Sequence, residues 1–221
     1  MKRFITLLAA LLMLSGLVSC GKNGNAETDV KTDTTAGASP ESTATTSQQS
    51  QESEPDSSDS GTAAKSLVVY FSWSGNTEKV AKSIQSQTGS DIFEIVPETP
   101  YSDDYDTVVD QAKDEQRKDA RPAIRDSITN MDSYDTVYVG FPNWWGDMPM
   151  ILYTFFDNYD LSGKNIALFC TSGGSGLSDT VNEVKNLEPN ANVTDGLHIG
   201  SSAASDPDEA VKSWLDDIGL A

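Results

Sequence analysis

Three short stretches of the 221-residue chain combine residue types able to hold an anion and a flat ring. The first, Ser72-Trp73-Ser74-Gly75-Asn76-Thr77, follows an apolar run and contains no basic residue. Hydroxyls of Ser72, Ser74 and Thr77, the Asn76 amide and the free N–H groups of a helix start can enclose an anion, and Gly75 lets the backbone come close. A phosphate is the natural guest. A hydroxyl-rich helix cap uses the same residue types, so this stretch alone leaves both readings open. It lacks G-x-x-x-x-G-K-[ST] and G-x-G-x-x-G, which leaves nucleoside triphosphate chemistry and a dinucleotide fingerprint unsupported.

The second stretch runs from Phe141 through Pro142, Asn143, Trp144, Trp145, Gly146, Asp147 and Met148 to Pro149. Adjacent side chains rarely both reach the core, so one tryptophan can pack inward while the other covers a flat ligand; both can also cover a helix end. Gly146 makes the peptide it shares with Asp147 free to turn over. The third stretch is Thr171, Ser172, Gly173, Gly174, Ser175 and Gly176, continuing to Asp179. Its glycines expose N–H groups suited to the edge of a heteroaromatic ring, and they equally suit a plain connection.

These stretches need a scaffold that brings them together. Leu67 to Phe71 reads as a strand buried on both faces. A helix follows from about Asn76 to a Gly89 cap, then a strand from Ile92 to Val96 stopped by Pro97. A helix over 104–120 carries Val108, Val109 and Ala112 as its inward stripe. The remaining elements are strand Thr136 to Phe141, helix Pro149 to Tyr159, strand Asn165 to Cys170, helix Ser178 to Leu187, strand Val193 to Ile199 and helix Asp206 to Ile218. Strands alternating with helices predict an α/β three-layer domain: a five-stranded parallel sheet with helices on both faces. Ligands of such sheets sit beyond the carboxyl ends of the strands where strand order reverses, and all three stretches lie at such ends. Together they fit a phosphorylated flat cofactor.

Over residues 66–221 the sequence resembles the flavodoxin family. "SWSGNT" is similar to that family's phosphate loop, [ST]-x-[ST]-G-N-T, and "WWGD" and "TSGGSG" resemble its two flavin-flanking loops. The resemblance implies strand order 2-1-3-4-5 and FMN as cofactor. It implies stacking of Trp145 on the ring, a peptide between Gly146 and Asp147 that turns over on reduction, and a third loop at the pyrimidine edge. The chain departs from the family in having no aromatic residue between Phe169 and Trp214, where many members carry a tyrosine in the third loop.

The chain ends add an address. Lys2 and Arg3 precede an apolar run from Phe4 to Met13, and "LVSC" ending at Cys20 resembles a bacterial lipobox. Residues 1–20 therefore read as a lipoprotein signal with Cys20 as the lipidated residue, and the expected location is extracytoplasmic, on a bacterial membrane. Residues 21–65 contain no aromatic residue, no Leu, Ile or Met, and only Val30 among the larger aliphatics, a composition expected of a disordered tether. With 15 Lys and Arg against 34 Asp and Glu the formal net charge is -19, which excludes the basic patch that nucleic acid requires. The expected partners are a redox protein or a small-molecule electron acceptor. The same acidity disfavours added negative charge on a bound ring. His198 and Cys170 read as structural, and Asp103, Asp104 and Asp106 as a solvated helix start. Three functions remain: an extracytoplasmic electron carrier, an FMN-dependent reductase of a flat molecule such as a quinone, and a cofactor-free binding module.

Overall fold

The computed structural model describes residues 64–220; the signal, Cys20 and all but the end of the tether lie outside them. The elements run β1 (Ser66–Tyr70), α1 (Asn76–Thr88), β2 (Asp91–Glu94), α2 (Tyr105–Lys118), β3 (Thr136–Pro142), α3 (Met150–Asn158), β4 (Asn165–Ser172), α4 (Thr180–Leu187), β5 (Asn192–Val193), β6 (Leu197–Gly200) and α5 (Asp208–Ile218). The sheet order is β2-β1-β3-β4-β5, with β6 also on β4, and every pairing between these strands is parallel. No described helix is long and apolar enough to cross a membrane.

Alternation along the strands builds two cores. Leu67, Val69, Val137, Val139, Ile166 and Leu168 face one side, where they meet Val108 of α2, Ile151 and Phe155 of α3 and Val184 of α4. Val68, Tyr70, Tyr138, Ala167 and Phe169 face the other, against Val80 and Ile84 of α1 and Val211 and Trp214 of α5. This is why the strands read as unbroken apolar runs: neither face meets water.

Local chemistry sets the helix ends. Gly89 takes the left-handed conformation (φ 67°) and its N–H donates to Gln85 O at 2.9 Å, closing α1. Asp104 caps α2 by accepting the Thr107 N–H at 2.9 Å. The acidic cluster at Asp103, Asp104 and Asp106 is thus a helix start, and no group able to hold a metal ion occurs among the described residues.

The structure corrects the expected fifth strand. Val193 to Ile199 is two pieces, because Val193 pairs with Ile166 and Leu197 with Phe169, leaving three residues opposite two. The bulge is Thr194, Asp195 and Gly196. The Trp214 indole N–H holds the Asp195 carbonyl at 2.9 Å, and a Cβ on Gly196 would lie 2.8 Å from Leu177 Cδ1. The second strand also ends early, at Glu94, because the Val96 carbonyl turns outward to accept the Arg125 N–H.

Gly140, in register with Phe169, has that ring directly over it, and an added Cβ would fall 2.1 Å from Phe169 Cζ. Gly140→Ala is predicted to lower stability by about 1–3 kcal/mol through overpacking, measured by urea denaturation; an unchanged midpoint contradicts this packing.

Candidate functional site

β1, β3 and β4 end at the same edge of the sheet, and the loops that follow them meet there. At the first loop the αL residue Gly75 (φ 81°) turns the chain into α1, with its N–H bonded to Ser72 Oγ at 3.1 Å. The first intrahelical bond is Lys79 N–H to Gly75 O. The N–H groups of Asn76, Thr77 and Glu78 therefore precede the helical ladder and project from its positive end. No cation is in the loop itself, and Glu78 is paired with Lys82.

One hydroxyl expected at the anion already has a partner within the protein. Thr77 is buried and its Oγ1 lies 2.9 Å from Thr171 Oγ1, tying the first loop to the third. Trp73 donates its indole N–H to Ser102 O at 2.9 Å and packs near the Tyr105 ring, with centroids 6.2 Å apart. Ser74 is exposed, and Asn76 is half-buried at the start of α1.

In the second loop the two tryptophans part. Trp144 turns inward and meets Phe71 and Tyr101 edge-on, at 5.5 and 5.2 Å between centroids. Trp145 stays 49% exposed; its indole N–H donates to Val109 O at 3.0 Å, and the Lys113 ammonium sits 4.4 Å from its ring centroid. Such a cation–π contact stabilises by about 0.5–1 kcal/mol at an exposed position.

Trp145 (φ 55°) and Gly146 (φ 81°) are both left-handed, and Trp144 and Asp147 exchange both backbone hydrogen bonds. This is a two-residue turn of type I′. Its tip peptide joins Trp145 to Gly146; the next peptide, the one expected to turn over, is held through the Asp147 N–H by Trp144 O at 3.1 Å. A non-glycine residue at positive φ stores strain. Asp147 is fixed in turn, accepting from Met148 N–H and from Tyr153 O–H at 2.9 Å. Burial, with Asp147 beside it, raises the Tyr153 phenol well above its ordinary range.

Pro142 ends β3 opposite Thr171, and Asn143 joins the loops on either side. Asn143 Oδ1 accepts the Gly146 N–H at 3.1 Å, while Nδ2 donates to Gly176 O and to Ser178 Oγ, each at 3.0 Å. Gly176 O also accepts from the Cys170 thiol at 3.2 Å, and burial pushes that thiol up to about 12. Cys170 is therefore protonated at neutral pH and serves the core.

The third loop is more internally bonded than its composition predicts. Ser172 Oγ accepts the Gly174 and Gly176 N–H groups at 3.2 and 3.1 Å, and it lies 2.9 Å from His198 Nε2. A serine hydroxyl has two acceptor lone pairs and one proton, so the proton goes to Nε2. His198 thereby holds Ser172, and two expected ring-edge donors are already used. Gly173, Gly174 and Ser175 are exposed.

Between these loops and α2 lies a groove of about 340 Å³, lined by Trp73, Asn143, Trp144, Trp145, Gly146 and Ser175 together with Tyr105, Val108, Val109 and Ala112. Sequence reasoning missed the α2 residues as part of the site. The one available signal was an aromatic residue, Tyr105, within the acidic helix start; it is 66% exposed.

The family model described as Flavodoxin matches residues 65–218. The chain belongs to the flavodoxin family. Among similar solved structures, a candidate flavoprotein from Bacteroides eggerthii DSM 20697 is 31% identical, with 72% of this chain and 99% of that chain covered and a TM-score of 0.65. A second candidate flavoprotein, from Bacteroides uniformis ATCC 8492, is also 31% identical over 69% of this chain and 98% of its own, with a TM-score of 0.63. A flavoprotein from Lactobacillus acidophilus NCFM, solved in complex with FMN, is 28% identical over 66% and 99%, with a TM-score of 0.54. No curated protein matches the chain.

As Asn143 bonds both flanking loops of this flavodoxin fold, Asn143→Ala is expected to cost about 1–2 kcal/mol and to speed amide exchange at Gly146. Native-state hydrogen exchange with urea denaturation measures both, and an unaltered Gly146 rate contradicts the role.

Proposed function

We propose that the protein is an FMN-binding electron carrier of the flavodoxin family, lipid-anchored through Cys20 and working outside the cytoplasm of a bacterium. The observation that carries this reading is the joining of two features at one sheet edge: unpaired N–H groups at the start of α1, and an aromatic groove of about 340 Å³ beside them. The donor set suits a phosphate ester, since a helix start presents oriented N–H groups and a positive dipole end. The groove suits a flat ring. The FMN complex of the Lactobacillus acidophilus relative supports the choice of ring.

In this reading the N–H groups of Asn76, Thr77 and Glu78, with the Ser74 hydroxyl, hold the phosphate. Trp145, Tyr105, Val109 and Trp73 wall the ring, and the exposed Gly173 and Ser175 offer N–H groups to its polar edge. FMN supplies electron transfer at that ring; the protein supplies binding, orientation and potential. Turning over the Gly146–Asp147 peptide releases the Asp147 N–H from Trp144 O and frees the Gly146 carbonyl to accept a hydrogen bond. Gly146 accepts the new backbone angles because it lacks a Cβ.

A reductase acting directly on a flat molecule is the second reading. It is favoured by the exposure of Gly173, Gly174 and Ser175, which leaves that side of the groove without an aromatic cover.

Purified protein is expected to be yellow or to become so with added FMN, and to exchange electrons with a basic redox protein while turning over NAD(P)H or quinones slowly. Fast steady quinone turnover selects the reductase, and a colourless protein that takes up no FMN overturns both. Cys20→Ser is expected to move the protein from the membrane fraction to the soluble one, and its retention in membranes contradicts the anchor.

A further inference from the structure

Lys113 lies against Trp145, a wall of the groove, and the cofactor chemistry above gives it no task. Its helix is strongly acidic, with Asp106, Asp110, Asp114 and Glu115. The neighbouring cations Arg117 and Lys118 are both committed to Asp114. Lys113 forms no ion pair among the described residues; its ammonium rests on the Trp145 ring at 4.4 Å instead. The same ring is tied to the same helix by its N–H to Val109 O, and it belongs to a residue at φ 55°. A strained turn with a half-exposed tip needs such outside support to keep one geometry.

The lining of the groove contains no charged side chain. Lys113 therefore sets the local field from one indole's thickness away, against a domain with 10 basic and 26 acidic residues. A positive charge there favours any state of a ring that has gained electrons, and the low-dielectric aromatic wall between them weakens the interaction less than water would.

We infer that Lys113 is a positioning residue of this site: it clamps the Trp145 indole onto α2 as the wall of the groove, and through that contact its charge raises the reduction potential of the bound ring. This rests on the FMN reading, but the clamp can be tested without flavin. In the flavin-free full-length protein the Trp145 indole N–H resonance, identified by its loss in Trp145→Phe, should shift in Lys113→Gln and exchange with water about threefold to tenfold faster. Lys113→Arg should restore it. In the FMN-loaded protein, titrated with dithionite, Lys113→Gln should lower the midpoint potential. The ratio of reduced-state to oxidised-state FMN affinity should fall about threefold to tenfold at low ionic strength and by less in high salt. Lys212→Gln, which removes a charge from α5 on the opposite face, should leave both readouts unchanged.

An unmoved indole resonance in Lys113→Gln overturns the inference, as does a midpoint that fails to drop or drops equally in Lys212→Gln. If the unaltered protein binds no FMN, the flavin reading fails and the indole measurement alone decides the clamp.

Discussion

The site exists because three parallel strands reach one edge of the sheet. Register makes Tyr70 level with Gly140 and Gly140 level with Phe169, so the chain leaves β1, β3 and β4 within a short distance of one another. Parallel pairing then forces each strand into a loop and a crossover helix on a chosen side. Strand order reverses between β1 and β3, since β2 lies to one side of β1, and β3 and β4 lie to the other. Flavodoxins are a known instance of the rule that ligands lie at such a reversal. Here the helix start of α1 and the tryptophan turn after β3 flank it, and side-chain bonds fix their spacing. The Thr77–Thr171 hydroxyl pair joins the first loop to the third, and Asn143 joins the second to the third.

The strands of this scaffold were legible because they are buried on both faces, and burial on both faces writes an unbroken apolar run. β1, β3 and β4 appear in the sequence for that reason. The α1 terminus was legible because Gly89 answers a purely local need. Adjacency suggested that Trp144 and Trp145 divide their tasks, but only the family resemblance said which of them stays at the groove. The break between β5 and β6 was not legible, because it depends on Trp214 and Leu177, which reach Asp195 and Gly196 only after the chain has folded. The part played by α2 was hidden for a related reason. Val108, Val109 and Ala112 form one inward stripe by periodicity, and only the packing angle decides that Val109 meets the groove. Likewise Thr77 and Ser172 look like ligand donors in a polar loop. Their partners within the protein, Thr171 and His198, are distant in sequence, so these bonds could not be read from the loops themselves.

Electrostatics give the site its character. A chain of net charge -19 that is read as holding a phosphate has no lysine or arginine in the loop concerned. Backbone N–H groups can do this work because they are already oriented by the helix and need no counter-ion. The tryptophan turn shows the same economy: a strained left-handed residue is held by an indole bond, a cation and the Asn143 amide rather than by burial. With no cation in that loop, Lys113, 4.4 Å from the Trp145 ring centroid, is the positive charge seated on a wall of the groove.

The function of this site depends on whether neutral donors at the start of α1 grip a phosphate ester. Equilibrium binding of FMN and of riboflavin to the flavin-free protein, in phosphate-free buffer, measures this directly. FMN is expected to bind at least about a hundredfold tighter than riboflavin, the least that two charge-assisted hydrogen bonds supply. Equal affinities for the two, or no uptake of FMN at millimolar concentration, would contradict it.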